Sequence, residues 1–468
     1  MKRFLLLLVV GLLAAASGVR AQEKAAQSIK GPDERVKTDI LVVVAHPDDE
    51  GGVTPYLARA IYDEHKRAAV VYTTRGGSGG NDYTREHGPA LADIREQEAR
   101  QACAKLGITN VWFLDGKDTA SQNVLNSLAN WGHGTNLEAL VRIVRLTRPE
   151  VIISWLPGIF IGENHGDHQA SGVLATEAFD LANDPTAFPA QVAGASKRLE
   201  LYLENLTPWQ PKKLYFFSDA DDQKQFAGTG PSYSIREISP SQKKPYWRLA
   251  MDAATPHLTQ FPEEIHQMTA MSDEQITKFM DDPQHSWWTE PMTLIFGKAA
   301  IGASVTEPIF PESEAAPDQT RRTVNKSGGH YPLPEAGIMR LGGPWLYYAE
   351  FRRVHKLESH VGPIEGPEVG VKAGSVVQIP LVLTHRDVSS KEFTVKVTTP
   401  DGWKVLSGAG LLRLPNQEST ALRVELQAPE SHGAKPDPQP VEVSVEQDGK
   451  SVGTIRLMVQ LKSSALAQ

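Results

Sequence analysis

Cysteine is almost absent: one residue, Cys103, in a chain of 468. An internal disulfide and any cysteine-rich zinc site are therefore excluded. Cys103 lies in a helical pattern and reads as a small buried hydrophobe. Positive charge is also short, with 48 Lys and Arg against 56 Asp and Glu and a formal charge of −8. With no basic run to offset this, the chain does not suit nucleic acid, whose binding depends on neutralising phosphates. Long apolar runs are missing too. Nothing reaches the ~18 residues that a transmembrane helix needs. No internal repeat is visible.

The apolar stretch that does occur is N-terminal. Lys2 and Arg3 precede Phe4 to Ala16, and Val19-Arg20-Ala21 places small residues where a signal peptidase reads. Residues 1–21 are expected to be a signal peptide cleaved near Ala21, giving an exported protein, periplasmic or extracellular. An uncleaved N-terminal anchor is the alternative. Cleavage removes three basic residues and no acid, taking the charge from −8 to −11.

After an N-terminal segment, residues 22–37, strand-like and helix-like patterns alternate. Apolar runs at Asp39–Ala45, Ala68–Thr74, Asn110–Leu114 and Val151–Trp155 are separated by helical periodicity at Gly52–His65, Ala90–Leu106 and Asn136–Thr147, with another helix after His168. Short continuous apolar runs between 3.6-period segments predict an α/β, Rossmann-like parallel sheet with helices on both faces, spanning residues 38–200. Residues 201–361 read as an elaboration of that domain plus linker. They hold strand-like pieces at Lys213–Ser218 and Trp345–Phe351, helices at Tyr246–Ala254 and Asp273–Met280, and a polar, Pro-rich stretch at Pro308–Gly329. Residues 362–468 read as an all-β, Ig-like sandwich. Runs at Val376–Leu383, Glu392–Thr398, Ser419–Gln427, Pro440–Gln447 and Val452–Gln460 are punctuated by turns such as Pro400-Asp401-Gly402 and Asp448-Gly449.

Chemistry concentrates in Ala45-His46-Pro47-Asp48-Asp49-Glu50, directly after the first strand. That position is the carboxyl end of a parallel strand, where open α/β folds bind ligands. His46 and Asp49, three apart in a tight turn, can converge on one cation. Asp48 between them suits a general base acting on water. A third ligand is expected from Glu163-Asn164-His165-Gly166-Asp167-His168, beyond the strand at Val151–Trp155. Of His165 and His168, one can ligate while the other faces substrate; His46, Asp49 and His168 make a three-ligand set with a position left for water. Gly76-Gly77-Ser78-Gly79-Gly80 matches the nucleophile-elbow pattern, but the next helix begins near Ala90, too late for an elbow, and the run lacks the third glycine of a dinucleotide fingerprint. It reads as a loop on the site rim.

His46-Pro47-Asp48-Asp49-Glu50 and His165-Gly166-Asp167-His168, in that order, resemble the PIG-L/LmbE-like N-acetylglucosaminyl deacetylases over about residues 38–182. Arg95-x-x-Glu98, Asp115 and His257-x-x-Gln260 also look like the family. The resemblance implies zinc, with Fe²⁺ or another divalent metal as the alternative, held by His46, Asp49 and His168. It implies Asp48 as base, and His165 stabilising the oxyanion or protonating the amine. Asp167 would orient a histidine, although it also reads as a helix cap. Arg95, Asp115 and His257 become candidates for substrate contact, while Arg95 with Glu98 also reads as a surface pair and His257 as a loop residue. Two departures bear on substrate geometry: Gly166 stands where the family usually has proline, and Glu163 where studied members carry tyrosine. The implied reaction is removal of acetyl from an N-acetylated sugar, small molecule or polysaccharide. Rival readings are a metal amidase on a larger amide conjugate and a non-catalytic carbohydrate-binding protein. The β-rich tail fits either a spacer or a carbohydrate context.

Overall fold

The computed structural model describes residues 34–119, 123–158, 165–194, 203–218, 226–281, 290–311, 338–357, 360, 368–384, 391–414, 419–430 and 438–462. The expected signal peptide, residues 1–21, lies outside the described residues, as do Glu163 and Asn164 and most of the Pro-rich stretch. No helix among the described residues is long and apolar enough to cross a membrane.

Five strands form the parallel part of the main sheet: β1 (Ile40–Val44), β2 (Ala68–Tyr72), β3 (Val111–Phe113), β4 (Val151–Trp155) and β5 (Lys213–Phe217). Alternate residues of each strand point to opposite faces, and both faces are covered. Val42, Val44, Val70, Ile153 and Tyr215 join one apolar layer with α1 (Thr54–Tyr62) and α2 (Pro89–Lys105). Leu41, Val43, Val71, Ile152 and Phe216 join the opposite layer with α3 (Val124–Trp131), α4 (His133–Thr147) and α5 (Gly166–Leu181). Burial on both faces explains why these strands read as unbroken apolar runs.

The sheet departs from the all-parallel expectation at one edge. After α6 (Pro189–Val192), the short paired strands β6 (Ser232–Tyr233) and β7 (Met292–Thr293) lead to β8 (Ile295–Ala299), which runs antiparallel to β5. Its order is β3-β2-β1-β4-β5-β8. An antiparallel edge strand needs no helical crossover to reach its place. Helices α7 (Tyr246–Ala254), α8 (Pro262–Ala270) and α9 (Asp273–Met280) pack into the α1–α2 layer through Trp247, Met251, Ile265 and Ile276.

A second correction concerns Trp345–Phe351, expected as a strand. It lies inside helix α10 (Gly343–Val354), which follows β9 (Met339–Leu341). Aromatic residues favour strands, but Pro344 in the first turn and Arg352 and Arg353 in the last suit a helix. Burial of Phe351 in the α3–α5 layer decides the outcome.

The C-terminal region forms two sheets around one apolar core. β10 (Glu368–Lys372), β12 (Lys391–Thr398), β14 (Gly410–Leu414), β16 (Gln439–Gln447) and β17 (Lys450–Lys462) make the first. β11 (Val376–Thr384), β13 (Lys404–Ser407) and β15 (Ser419–Gln427) make the second together with β9, which pairs with β11 from before the expected boundary at 362. Ile379, Leu381, Val424 and Leu426 from one sheet meet Phe393, Val395, Val443 and Leu457 from the other.

Candidate active site at the carboxyl edge of the sheet

The loops after β1, β2, β3 and β4 converge on one cavity of about 610 Å³, within the ~300–1,000 Å³ usual for small-molecule sites. It brings together His46, Asp48, Asp49, Arg95, His165, His168 and His257.

Asp49 is the hub. Its Oδ2 accepts the backbone N–H groups of Ala45 (2.8 Å) and His46 (2.9 Å) and the indole N–H of Trp155 (2.8 Å). That leaves Oδ1 to face His46 Nδ1 at 3.6 Å and His168 Nε2 at 3.2 Å. Burial acts against its charge, but His168 and His46 outweigh it and hold the carboxyl well below the usual range. The His168 ring lies flat on Trp155, with ring centres 4.1 Å apart and planes 5° from parallel. One tryptophan at the end of β4 therefore orients two neighbours.

His46 points its other nitrogen away from Asp49. Nε2 lies 3.1 Å from Asp118 Oδ1 and 3.4 Å from Asp167 Oδ2. A carboxylate on one imidazole nitrogen keeps the proton there and leaves the other as a lone-pair donor. Burial lowers the His46 pKa, yet Asp49, Asp118 and Asp167 together raise it well above its ordinary value. Asp167 is fully buried and also accepts the Thr119 backbone N–H and hydroxyl, both at 2.8 Å. It does not cap its helix; His165 does, accepting the Asp167 N–H on Nδ1 at 3.2 Å.

Two triads among the described residues have ligand atoms within 4.8 Å of one another: His46, His165 and His168, and His46, Asp118 and Asp167. Hydrogen bonding favours a different combination. With its Nδ1 lone pair occupied, His165 carries its proton on Nε2, where it can donate but not ligate. Burial, His168 and His46 lower its pKa to about 4, so the ring is neutral near pH 7. Asp118 and Asp167 serve His46 Nε2. The free donors are His46 Nδ1, Asp49 Oδ1 and His168 Nε2. Asp49 Oδ1 lies 3.6 Å from His46 Nδ1 and 3.2 Å from His168 Nε2, two spacings near the roughly 3.3–3.6 Å edges of a tetrahedron with ~2.0–2.2 Å bonds. Two imidazoles and a carboxylate are also the donor chemistry that zinc takes, so the residues fit the ion.

Asp48 occupies a strained backbone position, with φ 107° and ψ −27°. Glu50 secures it: Oε2 accepts the Asp48 N–H at 3.0 Å, while Oε1 contacts His257 Nε2 at 2.7 Å. Burial and the adjacent Asp49 carboxylate push the Asp48 carboxyl well above the usual range, the direction a general base near neutral pH requires.

Of the three residues expected at substrate, Arg95 and His257 line the cavity and Asp115 does not. Arg95 is buried and committed to protein: Nε donates to Thr259 Oγ1 (3.3 Å), Nη1 to Gly76 O (2.8 Å) and Nη2 to Gly80 O (2.6 Å). Glu98 accepts from the Thr259 N–H (2.9 Å) and hydroxyl (2.7 Å). This pair ties helix α2 to the 76–80 loop and the 257–260 segment and is not an exposed surface pair. His257 lines the cavity through its bond to Glu50, and Gln260 Nε2 donates to Pro47 O at 2.5 Å. Asp115 is exposed and absent from the cavity wall; the loop after β3 contributes Asp118 instead. Asp118 Oδ2 accepts the Ser78 N–H at 2.7 Å, drawing the glycine-rich loop onto the rim. Sequence reasoning missed both Asp118 and Trp155. For Trp155 a signal existed, since it is the last residue of a strand whose end loop opens on the site.

The fold and site define an α/β protein with a histidine–carboxylate cluster at the carboxyl edge of its sheet. Residues 41–179 match the family model PIG-L, GlcNAc-PI de-N-acetylase. A 1D-myo-inositol 2-acetamido-2-deoxy-alpha-D-glucopyranoside deacetylase 2 from Frankia alni is 32% identical over 211 residues, 40% of this chain and 69% of that protein. A deacetylase 1 of the same name and organism is 32% identical over 188 residues, 36% of this chain, which spans 59% of that relative's length. The corresponding deacetylase from Thermobifida fusca is 27% identical over 259 residues, covering 47% of this chain and 82% of its own length. The chain belongs to the PIG-L family. Among solved structures, N,N'-diacetylchitobiose deacetylase from Pyrococcus horikoshii aligns at 20% identity and TM-score 0.38, covering 55% of this chain and 83% of that one; a score this low supports no further argument.

Proposed function

We propose that this chain is a zinc-dependent hydrolase that removes the acetyl group from an N-acetylated amino sugar. The observation that carries the reading is Asp48, held in a strained turn beside Asp49 Oδ1, which faces both His46 Nδ1 and His168 Nε2. Family membership and the deacetylase names of its relatives support it.

Zinc held by these three residues, or Fe²⁺ on the same donors, supplies Lewis-acid polarisation of the amide carbonyl and acidifies water. Asp48, with its raised proton affinity, takes the proton of the attacking water. His165 Nε2–H donates to the carbonyl oxygen as negative charge develops there. Because His165 is neutral, Asp48 is the group that holds a proton to return to the departing amine. Asp118 and Asp167 keep His46 in the required tautomer, and Glu50 keeps Asp48 in place. A non-catalytic sugar-binding protein has no need of a strained, base-like carboxyl.

We also propose export after cleavage near Ala21, supported by Lys2, Arg3 and the apolar run that follows. The two-sheet tail is proposed as an Ig-like module that spaces the catalytic region or contacts carbohydrate.

The test supplies Zn²⁺ and a panel of N-acetylated sugars to the purified protein and measures free amine. The wild type is expected to release amine, and Asp48→Asn to be slower by about 10²–10⁴-fold. No release from any sugar, or equal release by both proteins, would overturn the reading.

A further inference from the structure

Asp48 holds φ 107° and ψ −27°. A residue with a side chain stays in such a conformation only where its surroundings over-determine it. The φ angle of Asp48 describes how the planar peptide joining it to Pro47 is turned, and that plane is rigid. Holding both polar ends of this one peptide therefore holds φ.

Both ends are held, and both supports lead to one segment. The Pro47 carbonyl accepts from Gln260 Nε2 at 2.5 Å. The Asp48 N–H donates to Glu50 Oε2 at 3.0 Å, and the other oxygen of Glu50 lies 2.7 Å from His257 Nε2. Glu50 is 5% exposed and His257 2%, so water does not compete for that contact. His257 and Gln260 share a tight turn between α7 and α8, in which the Gln260 N–H donates to His257 O at 3.2 Å. This turn lies outside the matched residues 41–179. Neither side chain keeps a polar atom for substrate. Their remaining ones, His257 Nδ1 and Gln260 Oε1, are buried and without a hydrogen-bond partner among the described residues.

Resting on the reading of Asp48 as general base, we propose that His257 and Gln260 are positioning residues that lock the Pro47–Asp48 peptide and so aim the base. His257 acts through Glu50 and Gln260 acts directly on the peptide. The catalytic turn is thus completed by a segment beyond the matched family core, and this role replaces the substrate contact expected of His257.

The test measures kcat, KM and bound zinc for the zinc-loaded full chain with the N-acetylated sugar it hydrolyses. His257→Ala is expected to lower kcat about 10–100-fold, with KM and zinc per chain at wild-type values. His257→Gln, whose amide N–H can replace Nε2–H on Glu50, should recover most of that loss. In an Asp48→Asn background His257→Ala should cost little more, because the lock then has no base to aim. Gln260→Ala removes the other support and should also lower kcat; it serves if His257→Ala does not fold. A wild-type kcat in both single variants, a loss confined to KM, lost zinc, or a full further loss in the Asp48→Asn background overturns the proposal. Amide hydrogen exchange reads the lock without substrate: peptides covering residues 46–51 should exchange faster in either variant while those of β4 do not change. If no sugar is hydrolysed by the wild type, the deacetylase reading falls and exchange alone decides. Faster exchange in the turn supports the lock, and unchanged exchange overturns it.

Discussion

Trp155 shows how much of the site depends on residues that do no chemistry. Its indole N–H fixes Asp49 and its face fixes His168. Trp155→Phe keeps an aromatic face for stacking and removes the N–H. Zinc affinity is expected to fall about tenfold, as for other supports of metal ligands; competition with a chelator measures it, and unchanged affinity would contradict the role. At this scale the sequence was informative where residues of the candidate site are neighbours in the chain. His46, Asp48 and Asp49 share one turn, and His165 and His168 share one helix start. Asp118 and Trp155 act through space, from a loop and a strand end whose positions follow from the β2–β3 and β1–β4 registers. Asp115 and Asp118 are both aspartates, three residues apart, and only the folded loop separates the exposed one from the partly buried one on the cavity wall.

Helix α2 acts as a clamp. Arg95 holds the 76–80 loop by its carbonyl groups, and Glu98 holds Thr259, so one helix fastens two walls of the cavity. Glu98→Ala leaves the Thr259 N–H and hydroxyl without their acceptor. It is expected to cost about 1–3 kcal/mol of stability and to raise KM more than it lowers kcat. Calorimetry and steady-state kinetics check this; wild-type stability and KM would refute the clamp. The arginine and glutamate were visible as a helical pair, but helical spacing does not reveal what an element touches. The same gap explains Trp345–Phe351. Aromatic density suggested a strand, and packing of Phe351 in the core made a helix. Strands β1, β2, β4 and β5 were legible because burial on both faces leaves an unbroken apolar signature. The antiparallel direction of β8 leaves no such trace.

Across the whole molecule, Asp180 joins the family core to its additions. From α5 its Oδ2 accepts from Lys298 on β8 and lies 2.6 Å from His355 Nδ1 at the end of α10. Burial raises the Asp180 pKa, but Lys298 and His355 outweigh it and the folded value lies below the ordinary one. The resulting stabilisation is therefore complete above the unfolded pKa of about 3.9 and fades as pH falls through the folded value. Asp180→Asn should be less stable at pH 7 by about 3 kcal/mol or more, with the gap closing below pH ~4. Denaturant unfolding across pH tests this, and a gap independent of pH would refute it. β9 adds a second join, since it precedes α10 in the chain yet pairs with β11 in the tail. Composition marked a change near residue 362 but gave no sign that a three-residue strand crosses it. The central claim remains the division of labour among four residues at the carboxyl edge of the sheet, and bound metal per chain measures it most directly. Wild type and His165→Ala should each retain about one zinc per chain, while His46→Ala, Asp49→Ala and His168→Ala lose it. Loss of zinc from His165→Ala with retention in Asp49→Ala would contradict the account.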